Sequence, residues 1–172
     1  MKFSYPLCAV VVAVAMLHVR GGQAAAQVEV TGTGSYISVP GGGFGIGGRL
    51  GVPIRESFDR GVRLEGAFDY FWPSCTSRDC DLVAGHLNVV VQNRFGGQAL
   101  GYFGVGATYE DYAIFDNGVF TDDTGWGANF VVGSRTQTQD AFRPFVEVRW
   151  ILISDIRNQF TFTVGGAFVL GG

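Results

Sequence analysis

Charged side chains that could form ion pairs or take part in catalysis recur at every second position in several segments of the chain. Between Val62 and Trp72, Arg63, Glu65 and Asp69 alternate with apolar residues, so an extended strand would carry all three on one face. Facing charges of both signs can pair and fill a narrow polar interior, or they can line an ion path. We favour the first interpretation and predict one interior network of Arg49, Arg63, Glu65, Asp69, His86, Arg94, Arg135, Glu147 and Arg149.

No catalytic or cofactor site is predicted. His86 is the single histidine beyond the amino-terminal segment, and a hydrolase would need a hydroxyl nucleophile and an acid beside it. The next position on the same face, Asn88, supplies neither. The glycine run at Gly43, Gly45 and Gly47 resembles a nucleotide fingerprint, but no helix follows to meet a phosphate. We therefore expect no enzyme activity, no cofactor and no metal.

Two cysteines lie close together in an irregular stretch. Cys75 and Cys80 would form a disulfide in an oxidising compartment, and closing so short a loop contributes only about 2 kcal/mol. A zinc site is the competing interpretation. It is disfavoured because no second cysteine or histidine pair stands at ligand spacing.

A stretch from Asp111 to Thr124 is predicted to be a long outer loop. Its acidic residues are interleaved with aromatic side chains, and a divalent cation or a basic partner could bind them. The spacing matches no calcium loop, so we favour solvated loop charge. This acidic cluster comprises Glu110, Asp111, Asp116, Asp122 and Asp123.

The amino-terminal segment predicts export. Lys2 precedes an apolar run from Leu7 to Leu17, and the small residues Ala24 to Ala26 follow. The run is shorter than the roughly 20 residues of a membrane-spanning helix. We predict a cleavable signal peptide over residues 1–26 and one domain over residues 27–172.

Eight segments with a period of two follow, and they set the fold class. Each approaches the roughly 9–11 residues with which a tilted strand crosses a bilayer, and an even count returns both chain ends to one side. An eight-stranded, antiparallel, up-and-down transmembrane β-barrel is therefore predicted. The segments are Val28–Val39, Phe44–Ile54, Val62–Trp72, Leu82–Phe95, Leu100–Tyr112, Gly125–Thr136, Phe142–Ile153 and Gln159–Leu170.

The aromatic residues decide which face meets lipid. They lie late in odd segments and early in even ones, so an up-and-down barrel gathers them at one rim as an interfacial girdle. The predicted girdle is Tyr36, Tyr70, Trp72, Tyr109, Trp126 and Trp150. The alternative is a soluble exported barrel of the lipocalin type, which would turn the apolar faces inward around a small apolar ligand.

Composition agrees with a folded, apolar chain. Of the 172 residues, 47% are hydrophobic and 16% charged, which excludes intrinsic disorder. The formal net charge of −3 lacks the basic surface that nucleic-acid binding needs. The 27 glycines and 5 prolines indicate tight turns and crowded strands instead of helices.

Together these features resemble the small eight-stranded outer-membrane barrels of the OmpA-barrel, OmpX and opacity-protein type. The resemblance rests on the export signal, the eight segments, an apolar last strand, and the stretches Gly42–Gly48, Tyr102–Gly106 and Arg143–Arg149. It implies a porin-like envelope protein of a Gram-negative outer membrane, in contact with lipid or lipopolysaccharide and inserted by the barrel assembly machinery. We expect a monomer with a structural or adhesion-like role, the alternatives being the lipocalin-like barrel and a lipid-modifying barrel enzyme.

Overall fold

Eight antiparallel strands close into a single barrel in the computed structural model. The structure describes residues 28–38, 42–56, 60–74, 79–95, 99–116, 119–136, 142–153 and 158–170. Neighbouring strands pair in chain order, and β1 closes the ring against β8, which confirms the predicted eight-stranded, antiparallel, up-and-down barrel. The strands are β1 (Val28–Ile37), β2 (Gly43–Glu56), β3 (Arg60–Pro73), β4 (Asp79–Arg94), β5 (Ala99–Asp116), β6 (Val119–Thr136), β7 (Phe142–Ile153) and β8 (Gln159–Leu170).

The barrel has two distinguishable ends. The start of β1 and the finish of β8 lie at one end, here called the termini end, together with the connections that follow even strands. The connections that follow odd strands lie at the other, here called the loop end. In the described part of the chain, no helix is long and apolar enough to cross a membrane.

Alternation along each strand turns the polar face inward. On β7, Phe145, Glu147 and Arg149 are buried in the lumen, while Val146 and Val148 are exposed on the outside. The same register puts Arg63, which lies on β3, inside the barrel. The apolar outer face and the polar lumen follow from the pleat, which sends successive side chains to opposite sides of a sheet.

Inward glycines leave space for large lumen side chains. A Cβ atom at Gly133 would lie 2.3 Å from Cζ of Tyr102, and one at Gly165 would lie 2.6 Å from Cε1 of Phe145. The interior of an eight-stranded barrel is just wide enough to be filled by side chains. Glycine on one strand therefore makes room for an aromatic ring on its neighbour.

The predicted loop from Asp111 to Thr124 is wrong. β5 runs on to Asp116 and β6 begins at Val119, with Tyr112 opposite Asp123 and Ile114 opposite Thr121. The acidic residues suggested a solvated loop, but the interleaved aromatic and β-branched residues favour strand pairing. The two strands continue as a β-hairpin beyond the aromatic pair Tyr109 and Trp126.

An apolar plug lies in the lumen at the loop end. Ile37, Phe71, Leu82 and Ala84 form one buried cluster, and the ring of Tyr112 packs against it. A second cluster of Val90, Tyr102 and Val131 lies deeper. Apolar side chains therefore fill the lumen toward the loops, and the second cluster lies among the charged side chains at the level of Arg63 and Arg149.

Candidate functional site

A continuous chain of ion pairs runs through the lumen from the termini end. Glu29 on β1 accepts hydrogen bonds from Arg63 Nη1 at 3.1 Å and from Arg135 Nη1. Arg63 Nη2 then donates to Glu65 Oε2 at 2.8 Å, and Glu65 Oε1 lies 3.6 Å from Arg49 Nη1. Strands distant in sequence are thereby tied together across the barrel interior.

Glu147 is the centre of this chain. Its Oε2 accepts from Arg49 Nη1 at 2.5 Å, and its Oε1 accepts from Arg149 Nη2 at 3.0 Å. Tyr102 adds a third hydrogen bond, from its hydroxyl to Oε2 at 3.1 Å. Glu147 is 1% exposed, so two guanidinium groups and a phenol replace the water shell of its carboxylate.

Aromatic rings cover two of the arginines, and the sequence prediction missed both. The Cζ atom of Arg49 lies 5.1 Å from the ring centroid of Phe145, and that of Arg63 lies 5.1 Å from the centroid of Tyr102. Such cation–π contacts stabilise a desolvated guanidinium. The signal was present, because Tyr102 and Phe145 occupy inward positions of their strands, although neither was included in the predicted interior network.

His86 lies nearer the loop end with a hydroxyl and an acid beside it. Its Nδ1 shares a hydrogen bond with Thr108 Oγ1, and its Nε2 lies 3.7 Å from Asp69 Oδ2. The sequence prediction rested on the next inward position of β4, Asn88, and did not include these partners, which β3 and β5 supply across the sheet.

The three side chains follow the hydroxyl, imidazole, carboxylate order of a hydrolase triad, but they are not accessible to a substrate. Thr108, His86 and Asp69 are 1%, 6% and 2% exposed, so a substrate carbonyl has no route to the Thr108 hydroxyl. Thr33 donates a hydrogen bond to Asp69 at 3.4 Å, which further ties the group into the wall. The geometry fits a hydrogen-bonded structural network.

The outer surface is an apolar band edged by aromatic rings at the loop end. Tyr36 contacts Phe44 with ring centroids 5.2 Å apart, and Tyr109 contacts Trp126 at 4.9 Å. The remaining predicted girdle residues lie on the same outer rim, with Tyr70 and Trp72 at 4.9 Å and Trp150 stacked on Phe160 at 6.0 Å.

A second aromatic rim, missed from sequence, lies at the termini end. Phe142 and Phe168 pack with centroids 5.2 Å apart, and Phe95 is 77% exposed near the same end. Aromatic residues at both limits of an apolar band are typical of strands that meet both faces of a bilayer.

Solved structures share this architecture, although no family model and no curated protein matches the chain. Ail, the attachment invasion locus protein of Yersinia pestis, superposes with a TM-score of 0.63 at 14% identity, over 84% of this chain and 97% of Ail. Neisserial surface protein A gives 0.64 at 11% identity, over 87% and 100% of the two chains. The chain has the fold of the small eight-stranded outer-membrane barrels. The amino-terminal barrel of Pseudomonas aeruginosa OprF gives 0.63 at 14% identity, over 84% and 97%.

In this outer-membrane barrel fold, the five residues of the predicted acidic cluster do not lie together. Glu110 is fully buried in the lumen, where Gln159 donates a hydrogen bond to it at 2.8 Å, so its assignment to an outer loop is wrong. Asp111 and Asp123 lie on the β5–β6 hairpin. Asp116 and Asp122 fall on the same hairpin, but their side chains lie outside the described residues.

The remaining predicted site residues take separate places in the barrel. Arg94 is half-buried and ends β4 at the termini end. Cys80 lies on β4, whereas Cys75 falls outside the described residues, and the disulfide stays a prediction. The predicted signal peptide also lies outside the described residues.

Proposed function

We propose that this protein is an integral outer-membrane β-barrel, exported by its amino-terminal segment, with a structural or surface-interaction role. The supporting observation is the orientation of its faces. The outer face exposes large apolar side chains, with Phe44, Phe103 and Val132 at 73%, 59% and 63% exposure. The charged residues Glu65, Glu147 and Arg149 are buried in the lumen. An apolar surface on all sides is unfavourable in water and matches the hydrocarbon of a bilayer.

The height of the apolar band supports the same proposal. On β7 the outward side chains run from Phe142 at one rim to Trp150 at the other. Eight residue steps span about 27 Å along the strand and about 20 Å along the axis of a barrel whose strands tilt by about 40°. This is close to the apolar band of about 25 Å that outer-membrane barrels present.

The two alternative functions fit the geometry less well. A soluble lipocalin-like barrel needs an apolar interior for its ligand, whereas this lumen holds the ion-pair chain from Arg135 to Arg149. A lipid-modifying enzyme needs an accessible nucleophile, and Thr108 beside His86 is buried. A lumen filled by side chains favours a scaffold or a display role over transport.

The β5–β6 hairpin is the surface best placed for recognition. It extends past the rim at Tyr109 and Trp126 and carries Asp111 and Asp123. Ail, whose name describes attachment and invasion, has the same fold and has been solved with the heparin analogue sucrose octasulfate. This likeness supports an adhesion-like role for the protein, and the acidic side chains of its own hairpin favour a basic partner over a sulfated one.

Cell fractionation tests the membrane assignment. We expect the protein in the outer-membrane fraction, with a gel mobility that differs between unboiled and boiled samples because the barrel stays folded in detergent. A soluble periplasmic protein whose mobility does not change on boiling would overturn the proposal.

A shortened hairpin tests the surface role separately. Replacing residues 113–122 by a two-residue turn should leave heat-modifiable mobility intact and abolish adherence of expressing cells to host-cell monolayers. Unchanged adherence, measured against cells that lack the protein, would place any recognition elsewhere.

A further inference from the structure

A pocket at the termini end of the lumen is lined by an excess of positive charge. The strand ends that surround it contribute three guanidinium groups and one carboxylate. Its lining residues are Glu29, Gly51, Pro53, Arg63, Gln92, Arg135, Arg143 and Val169. These residues come from seven different strands, so the pocket is the mouth of the lumen at the end where β1 begins and β8 ends.

Glu29 is the single acidic residue of this lining, and its carboxylate is already shared. Arg63 Nη1 and Arg135 Nη1 both donate to it. The next carboxylate inward, Glu65, accepts from Arg63 but also lies 4.0 Å from Arg149 Nη2. Glu29 is therefore shared by two of the three pocket arginines, and Glu65 is shared with an arginine deeper in the lumen.

Arg63 and Arg143 line the pocket together with Arg135, so three like charges share it. Arg135 and Arg63 are 6% and 7% exposed, so water screens these like charges weakly. The Nε atoms of Arg63, Arg135 and Arg143 are buried without a hydrogen-bond partner among the described residues. Neighbouring guanidinium groups whose N–H donors have no acceptor can bind an anion. A planar guanidinium holds an oxyanion through paired N–H donors.

We propose that this mouth binds a small oxyanion, a carboxylate or a phosphate group, entering from the termini end of the barrel. The bound anion would supply the counter-charge for Arg143 and Arg135 that Glu29 cannot supply alone. The proposal extends beyond the surface role of the loop end, because the pocket lies at the opposite end of the barrel.

Calorimetric titration of the folded, detergent-solubilised full chain with inorganic phosphate, and separately with acetate, tests this inference. We expect saturable binding of at least one probe, and the pair shows which oxyanion geometry fits. Arg143→Gln should weaken the affinity at least tenfold. Gly51→Val should do the same without changing charge, because its Cβ would enter the pocket at ordinary contact distances, 3.6 Å from Glu29 Cβ and 3.8 Å from Arg63 Cδ.

Arg94→Gln is the matched control. It removes one positive charge at the same end of the barrel but does not line the pocket. We expect its affinity within twofold of the native value, with folding of every variant checked by heat-modifiable mobility. Absence of saturable binding to the native barrel, or equal weakening by Arg94→Gln and Arg143→Gln, would overturn the proposal.

Discussion

At the scale of single residues, Glu147 shows how the lumen tolerates buried charge. Its carboxylate bonds two guanidinium groups and a phenol, and the arginine Arg49 lies against an aromatic ring. Desolvating one charge in an apolar setting is costly unless partners replace the lost water. The burial of Arg49 and Arg149 therefore depends on the charge of Glu147, and the burial of Glu147 depends on theirs.

Glu147→Gln should destabilise the barrel strongly. The change removes the closer of the two carboxylates that Arg49 and Arg149 share, and Glu65 remains at 3.6 Å and 4.0 Å from them. Breaking a buried pair in this way costs about 3–5 kcal/mol. Urea unfolding of the refolded protein in lipid vesicles, followed by tryptophan fluorescence, measures the loss in free energy of unfolding. Asp123→Asn, an exposed change on the hairpin, should stay within about 0.5 kcal/mol of native, and equal effects of both variants would contradict the account.

Thr108 should not act as a nucleophile despite its place beside His86. Because Thr108 is buried in the lumen, we expect no covalent labelling of the folded barrel by a fluorophosphonate probe. Mass spectrometry of the treated protein measures this directly. Labelling that disappears in Thr108→Val would show an accessible, activated hydroxyl and revive the enzymatic alternative.

At the scale of strands, the period-two alternation of the sequence predicted most of the fold. All eight predicted segments overlap observed strands, and β7 and β8 share their predicted bounds. The alternation of β3 also predicted which side chains enter the lumen, because a strand fixes that choice by its pleat. The β5–β6 hairpin was not predicted, because its acidic residues are typical of a solvated loop, although its β-branched and aromatic residues favour strands.

Contacts between strands were harder to predict than the strands. The sequence predicted that Glu65, Asp69 and His86 face inward, but pairing Asp69 with His86 depends on the register between β3 and β4. Register places Thr108 opposite His86 in the same way, and no local pattern encodes it. The cation–π contacts of Tyr102 and Phe145 likewise arise only when the barrel closes.

Inward and outward glycines should differ in their tolerance of alanine. At Gly106 on β5, an added Cβ would lie 2.1 Å from the carbonyl oxygen of Leu87, so backbone would have to move. At Gly32 on β1, nothing lies within 4 Å of the added atom. Gly106→Ala should cost about 1–3 kcal/mol in the free energy of unfolding, and Gly32→Ala much less.

Urea unfolding in vesicles compares this pair under identical conditions. The comparison is matched because both changes replace a strand glycine by the same residue. If Gly32→Ala destabilised as much as Gly106→Ala, lumen crowding would not be the reason for glycine at the inward position.

At the scale of the whole molecule, the lumen is closed in layers. The apolar plug of Ile37, Phe71, Leu82 and Ala84 lies toward the loops, and the ion-pair chain follows below it. We expect no steady open level when the folded barrel is reconstituted into planar bilayers at neutral pH. A stable ohmic conductance from protein with folded gel mobility would show that these layers do not seal the lumen.

The central claim, that the outer face of the barrel meets lipid, is tested most directly by its tryptophans. Trp72, Trp126 and Trp150 all lie on the outer aromatic rim at the loop end. In vesicles of lipids brominated at defined depths, we expect strong quenching of their fluorescence, greater for bromines near the headgroups than near the bilayer centre. Absence of quenching at every depth, with the protein soluble without detergent, would contradict the lipid-facing assignment and restore the soluble barrel.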